Sequence, residues 1–152
     1  MKIGPLPENE KERLNAIRRY HILDTEEEQD FDSIVELATQ LCNTPIGFIN
    51  LIDEHRQWFK AKIGIKIRET HRDSAFCAHT ILQDDIMMVA DTSKDVRFFD
   101  NPLVTSDPYI QFYAGMPLIT SKGYKLGTLA VLDRTPRNLS EHQLRDLRPR
   151  FH

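Results

Sequence analysis

The chain has 152 residues, 40% hydrophobic and 28% charged, with a formal net charge of −3. That suits one domain with its own core and excludes a broadly basic surface for nucleic acid or an anionic membrane. No apolar run reaches the length of a membrane span, and the opening MKIGPLPENEKERL lacks the apolar centre of a secretory signal; Cys42 and Cys77 read as free thiols in a reducing compartment, so a cytoplasmic location is expected.

Glu8 to Ile22 is a charged helical segment with Leu14, Ile17 and His21 on one face, and Pro5 and Pro7 hold its N-terminal side out of helix. Asp24 or Thr25 opens a second helix, where Thr25 with Glu28 fits a capping box. Phe31, Ile34, Val35, Ala38, Leu41 and Cys42 then recur at helical spacing, and this helix ends near Asn43 and Pro45. The period changes at IGFINLID (46–53), apolar on both faces and so a central strand covered from both sides. Asp53 to Arg56 is a turn, and QWFKAKIG (57–64) is its hairpin partner, with Lys60 and Lys62 sharing a face with Trp58.

A charged loop, 65–71, leads to RDSAFCAHTI (72–81), where Asp73 or Ser74 can cap a short helix. MMVAD (87–91) is a short strand, and 92–108 is a loop with one helical turn. YIQFYAGMPLIT (109–120) and YKLGTLAVLD (124–133) form a second hairpin around Ser121-Lys122-Gly123. Ser140 and Gln143 fit a second capping box, and Leu144 and Leu147 begin a helical stripe that Pro149 interrupts. Hairpin-joined strands with a strand covered on both faces predict an α+β fold, a central antiparallel sheet with helices on both faces.

FINLIDEHRQWFKAKIG, RDSAFCAHTIL, MMVADTSKDVRFFDNPLV and YAGMPLITSKGYKLGTLAVLD, in this order, resemble a GAF domain of the bacterial branch found in sensor histidine kinases and diguanylate cyclases. The resemblance covers about residues 10–147, so that 1–152 is a single GAF domain. It implies a PAS-related sheet with the terminal helices packed on one face. On the other face, a ligand pocket is roofed by residues 64–86 and 92–108. It further implies a homodimer through the terminal helices, in a two-component or related signal-transduction protein whose kinase or cyclase output lies elsewhere. The chain itself is then no enzyme.

Cys77 and His79 raise three other readings. A structural metal site wants four ligands, and two positions apart on a helix these side chains diverge; no metal is expected. A cysteine nucleophile needs a base and an orienting group, and no third group is evident. Phytochrome-like GAF domains hold a bilin through cysteine, often in a Cys-His pair; here Ala78 intervenes. What the resemblance implies instead is a pocket for a small molecule of unknown identity, with the cofactor unknown. Asp73, Ser74, His79 and Thr80 supply its polar groups among apolar Phe76 and Cys77. Arg97 is the candidate anion clamp, or else a salt-bridge partner of Asp91, Asp95 or Asp100. Trp58, Phe98 and Phe112 are its aromatic walls, or else plain core. The rival functions are a ligand-free dimerisation module and a Cys77-dependent photosensor.

Overall fold

Ile46–Ile52 (β1) is buried at every position, as a strand covered on both faces must be. It belongs to a computed structural model that describes residues 1–148. Around β1 stand Arg56–Ile63 (β2), Glu69–His71 (β3), Met87–Val89 (β4), Phe112–Ile119 (β5) and Lys125–Asp133 (β6). They form one sheet in the order β3-β2-β1-β6-β5-β4, with every pairing antiparallel. The expected α+β sheet is present. β3 is an addition: three residues of the expected charged loop pair with Arg56, Gln57 and Trp58.

Three helices cover one face: Glu10–Tyr20 (α1), Gln29–Cys42 (α2) and Glu141–Leu147 (α5). Two crossings cover the other. The first carries a 3-10 turn at Arg72–Ser74 and the short helix Cys77–Thr80 (α3). The second carries a 3-10 turn at Thr92–Lys94, capped by Asp91, and Pro102–Thr105 (α4), capped by Asn101. The first turn is capped by His71, whose side chain accepts from the Asp73 amide, and not by Asp73 or Ser74. At α5 the Ser140–Gln143 capping box forms as expected; Pro149 lies outside the described residues.

A β-bulge between Ile49 and Asn50 sets which side chains reach which face. Ala61 pairs with Ile49 and Phe59 with Asn50, so Lys60 is the extra residue of β2. Trp58 and Lys60 look toward the helices. Lys62, opposite Phe48, does not share that face as simple alternation predicted. The buried Lys60 ammonium donates to Thr25 Oγ1 at 2.7 Å and to the Glu26 carbonyl, and it pairs with Glu28. Residues 25–28 are thus taken up by Lys60, and α2 starts at Gln29 without the expected Thr25 box.

The phase of α2 also differs from expectation. Its buried residues are Val35, Ala38, Thr39 and Cys42, while Ile34, Leu37 and Leu41 are 41%, 57% and 39% exposed. The cause lies beneath it. A Cβ on Gly47 would stand 2.5 Å from Thr39 Cγ2, so α2 rides close to β1 on its smaller side chains. Its larger ones turn outward.

One carboxylate ties the two faces together. Glu10, in the first turn of α1, accepts from Arg13 Nε at 2.8 Å and from Arg72 Nη2 at 3.2 Å. Arg13 is fully buried and donates to the Ile52 carbonyl at 2.7 Å. Arg72, which opens the first crossing, donates to the Asp53 carbonyl at 3.1 Å. Burial favours the neutral acid, but the hydrogen bonds and charges of Arg13 and Arg72 outweigh it and hold the Glu10 carboxyl below its ordinary range. A depressed folded-state value gives stability that is present above the ordinary glutamate range and lost as pH falls through the folded value. Glu10→Gln is expected to flatten the acid limb of stability against pH. At neutral pH it should cost about 2 kcal/mol, read from urea unfolding.

Candidate functional site

The roof and the sheet meet in one apolar layer. Phe76, Cys77, Ala78 and Ile81 come down from the first crossing, and Phe98 and Val104 from the second. Ile46, Phe48, Tyr113, Ala130 and Leu132 rise to meet them. Phe98 packs edge-on against Phe76, with ring centroids 4.8 Å apart, and Phe48 against Phe59 at the same distance. Between roof and sheet lies a cavity of about 20 Å³ beside Phe59, Ile65, Leu103 and Ile110. That is room for about one water. The interior of the predicted pocket is filled by its own side chains.

Within this layer runs a buried polar chain. Tyr113 OH lies 2.7 Å from Thr80 Oγ1 and 3.1 Å from Cys77 Sγ. Thr128 Oγ1 is 2.9 Å from Cys77 Sγ and 2.9 Å from Asn50 Oδ1, which also accepts the Thr128 amide. Asn50 Nδ2 donates to Gln57 Oε1 at 2.7 Å, and Gln57 Nε2 to Thr70 Oγ1 at 2.8 Å. Each strand places its member by local geometry. Asn50 sits beside the bulge, and Gly115 leaves space for the Tyr113 hydroxyl, which a Cβ there would meet at 2.0 Å. Burial pushes the Cys77 thiol and the Tyr113 phenol upward, so both stay protonated at neutral pH.

The ten expected site residues divide into groups. Phe76, Cys77, Thr80 and Phe98 are brought together beneath the roof. His79 and Arg97 flank its outer side. The His79 ring stands edge-on to Phe98, and its Nε2 is 3.1 Å from the Lys2 carbonyl; burial lowers its pKa and keeps it neutral. The Arg97 fork is occupied by Asp95, with Nε to Oδ1 at 3.0 Å and Nη2 to Oδ2 at 2.8 Å. Asp73 and Ser74 lie half-buried at the rim, bonded to His71. Trp58 and Phe112 must be removed from the set. Strand alternation turns Trp58 to Leu14, Ile17 and Leu126, and Phe112 to Ala38, Cys42 and Leu147, on the helical face.

Cys77 and His79 do diverge: the thiol faces Tyr113 and Thr128, and the imidazole faces Lys2 and Phe98. The thiol has no base beside it and no exposed surface, a poor nucleophile and a poor attachment point. No metal-ligating cluster of three occurs among the described residues. Asn50, Gln57, Tyr113 and Thr128 were missed from the sequence. The readable signal was an amide and a hydroxyl set inside strands otherwise built of apolar residues. Tyr113→Phe leaves the Thr80 hydroxyl and the Cys77 thiol without their shared partner. A loss of about 1–2 kcal/mol is expected in urea unfolding.

A family model described as GAF domain matches residues 26–148. A cyclic di-GMP phosphodiesterase of Pseudomonas aeruginosa is 44% identical over 137 residues, which are 90% of this chain and 23% of that protein. The chain thus spans under a quarter of the curated relative it matches. The GAF domain of a phosphoenolpyruvate-protein phosphotransferase from Coxiella burnetii superposes with a TM-score of 0.64 at 13% identity, covering 89% of this chain and 83% of that one. That of the Acinetobacter phosphotransferase does so at 0.60 and 19%, covering 87% and 83%. At such identities the solved structures speak for the fold, and the family model extends the likeness to the sequence: the chain belongs to the GAF domain family.

Proposed function

We propose that this chain is the small-molecule-sensing regulatory domain of a bacterial signalling protein, located in the cytoplasm and without catalysis of its own. The observation that carries this reading is the buried polar chain. Thr80, Tyr113, Cys77, Thr128, Asn50 and Gln57 satisfy one another under a roof of irregular crossings. Side-chain groups that in a closed state pair mainly with one another, with Thr70 and the Thr128 amide as their outside partners, can exchange some of those partners for a polar guest when the roof lifts, at little net cost in hydrogen bonds. A ligand that binds only the lifted state shifts the population toward it. Arg97 adds a guanidinium for an anionic guest once it leaves Asp95. The regulated output lies in the longer protein, and hydrolysis of cyclic di-GMP, named for the Pseudomonas relative, is one such output.

The filled interior supports a second reading, a dimerisation module with no ligand. The outward face of α1 carries Lys11, Glu12, Arg18 and Arg19, all exposed, and suits water better than a partner helix. The exposed Ile34, Leu37 and Leu41 of α2 are spaced for a helix seam. Nearby, a groove of about 450 Å³ is floored by Ile49, Leu51, Met116 and Leu118. The proposed homodimer therefore uses α2.

A thermal-shift screen of small metabolites on the purified chain separates the two readings. A true ligand at a hundred times its Kd adds about 2.7 kcal/mol of stability, and the effect should vanish in Asn50→Ala. A broad library without a single shift, together with a dimer in light scattering that Leu37→Arg dissociates, would transfer the assignment to the second reading.

A further inference from the structure

Residues 1–9 cross the outside of the roof before the chain turns into α1. The Lys2 amide donates to the Arg97 carbonyl at 3.2 Å. The Lys2 carbonyl accepts from the other crossing, 3.1 Å from His79 Nε2. Gly4 is buried against α3, where an added Cβ would stand 3.0 Å from the backbone carbon and oxygen of Ala78. The next anchor is Glu10 on Arg72, where the first crossing begins. One short stretch of chain therefore grips both crossings from above and then becomes a helix of the opposite face.

Its two hydrogen-bonded anchors share a support. The His79 ring meets the Phe98 ring at 5.0 Å, and the Arg97 guanidinium lies 4.8 Å from the same ring. Phe98 in turn packs on Phe76, and Phe76 on Tyr113 at 5.3 Å. A displaced Lys2 backbone thus acts through four contacts on the buried polar chain. The Met1 ammonium adds an ion pair with Asp100 of the second crossing, but the stretch buries little apolar surface, with Ile3 57% and Leu6 64% exposed. Segments with so little buried apolar surface open at the low end of local unfolding free energies.

We propose that residues 1–9 are a strap that keeps the roof shut, and that its release admits solvent and solutes to the polar chain around Cys77. The strap is an autoinhibitory contact, and α1 is where its movement reaches the helical face. This gate serves the site proposed above, but access to Cys77 can be read with no ligand at all, so failure to find a ligand leaves the gate intact.

Cys77 supplies the readout. In the whole chain carrying Cys42→Ala, Cys77 is the sole thiol, and its rate of reaction with N-ethylmaleimide reports roof opening. Three variants loosen the strap differently. Lys2→Pro removes the amide donor at an exposed position while also fixing φ there. His79→Phe keeps a ring on Phe98 and loses the bond to Lys2. Gly4→Leu drives a side chain into Ala78. Labelling is expected to rise at least tenfold in each variant that folds, with amide exchange in β1 and β6 unchanged. Rates within twofold of the parent in Lys2→Pro and His79→Phe would overturn the strap. So would faster labelling that tracks a uniform loss of protection across β1 and β6, because that marks global unfolding.

Discussion

The amide of Asn50 is the constraint on which the roofed face depends. It sits at 0% exposure in a strand otherwise apolar, and a buried amide has to find its partners inside the protein. Its oxygen takes the Thr128 amide and hydroxyl of one neighbouring strand, and its nitrogen takes Gln57 of the other. That requirement fixes three strands in relation to one another. Gly127 reflects the same crowding, since a Cβ there would stand 1.9 Å from the Asn50 carbonyl oxygen. Through Thr128 the network reaches Cys77, and through Cys77 and Tyr113 it reaches the roof. The amide thus selects one register for the sheet and one seat for α3.

The roof itself is built by the motifs that make the sequence recognisable. Asn101 caps α4 and donates to the Ser74 carbonyl, joining the two crossings at 3.0 Å. Thr92 donates to the Ile110 carbonyl at 2.8 Å. Asp95 engages Arg97, and Phe98 fills the space between Phe76 and His79. These residues explain a tightly closed cover before any ligand is invoked. A cover built this way favours one closed state, and a ligand acting as proposed above would have to supply the free energy that opens it.

Much of this was legible in the sequence. Both hairpins, the fully apolar central strand, the Ser140 cap and the diverging Cys77 and His79 follow from period and local chemistry. What was not legible arose where distant segments meet. No local pattern announces the bulge at Asn50, and that one extra residue is what separates Lys62 from Trp58. The phase of α2 depends on Gly47 beneath it, and the start of α2 on Lys60, more than thirty residues away from Thr25. The site suffered most. Aromatic residues were assigned to the pocket by type, but alternation along β2 and β5 decides their face, and it sent Trp58 and Phe112 to the helices. Asn50 and Thr128, polar residues within apolar strands, were the better signal.

The two margins of the sheet are β3 and β4, each three residues long. Such stubs themselves expose few unpaired amides and carbonyls, so another chain finds little ladder to zip onto along β3 or β4. Sheet-to-sheet extension, the common route from a β-rich fold to fibrous aggregation, is thereby blunted at both ends. Concentrated solutions of this chain should accordingly resist cross-β growth so long as the native sheet persists.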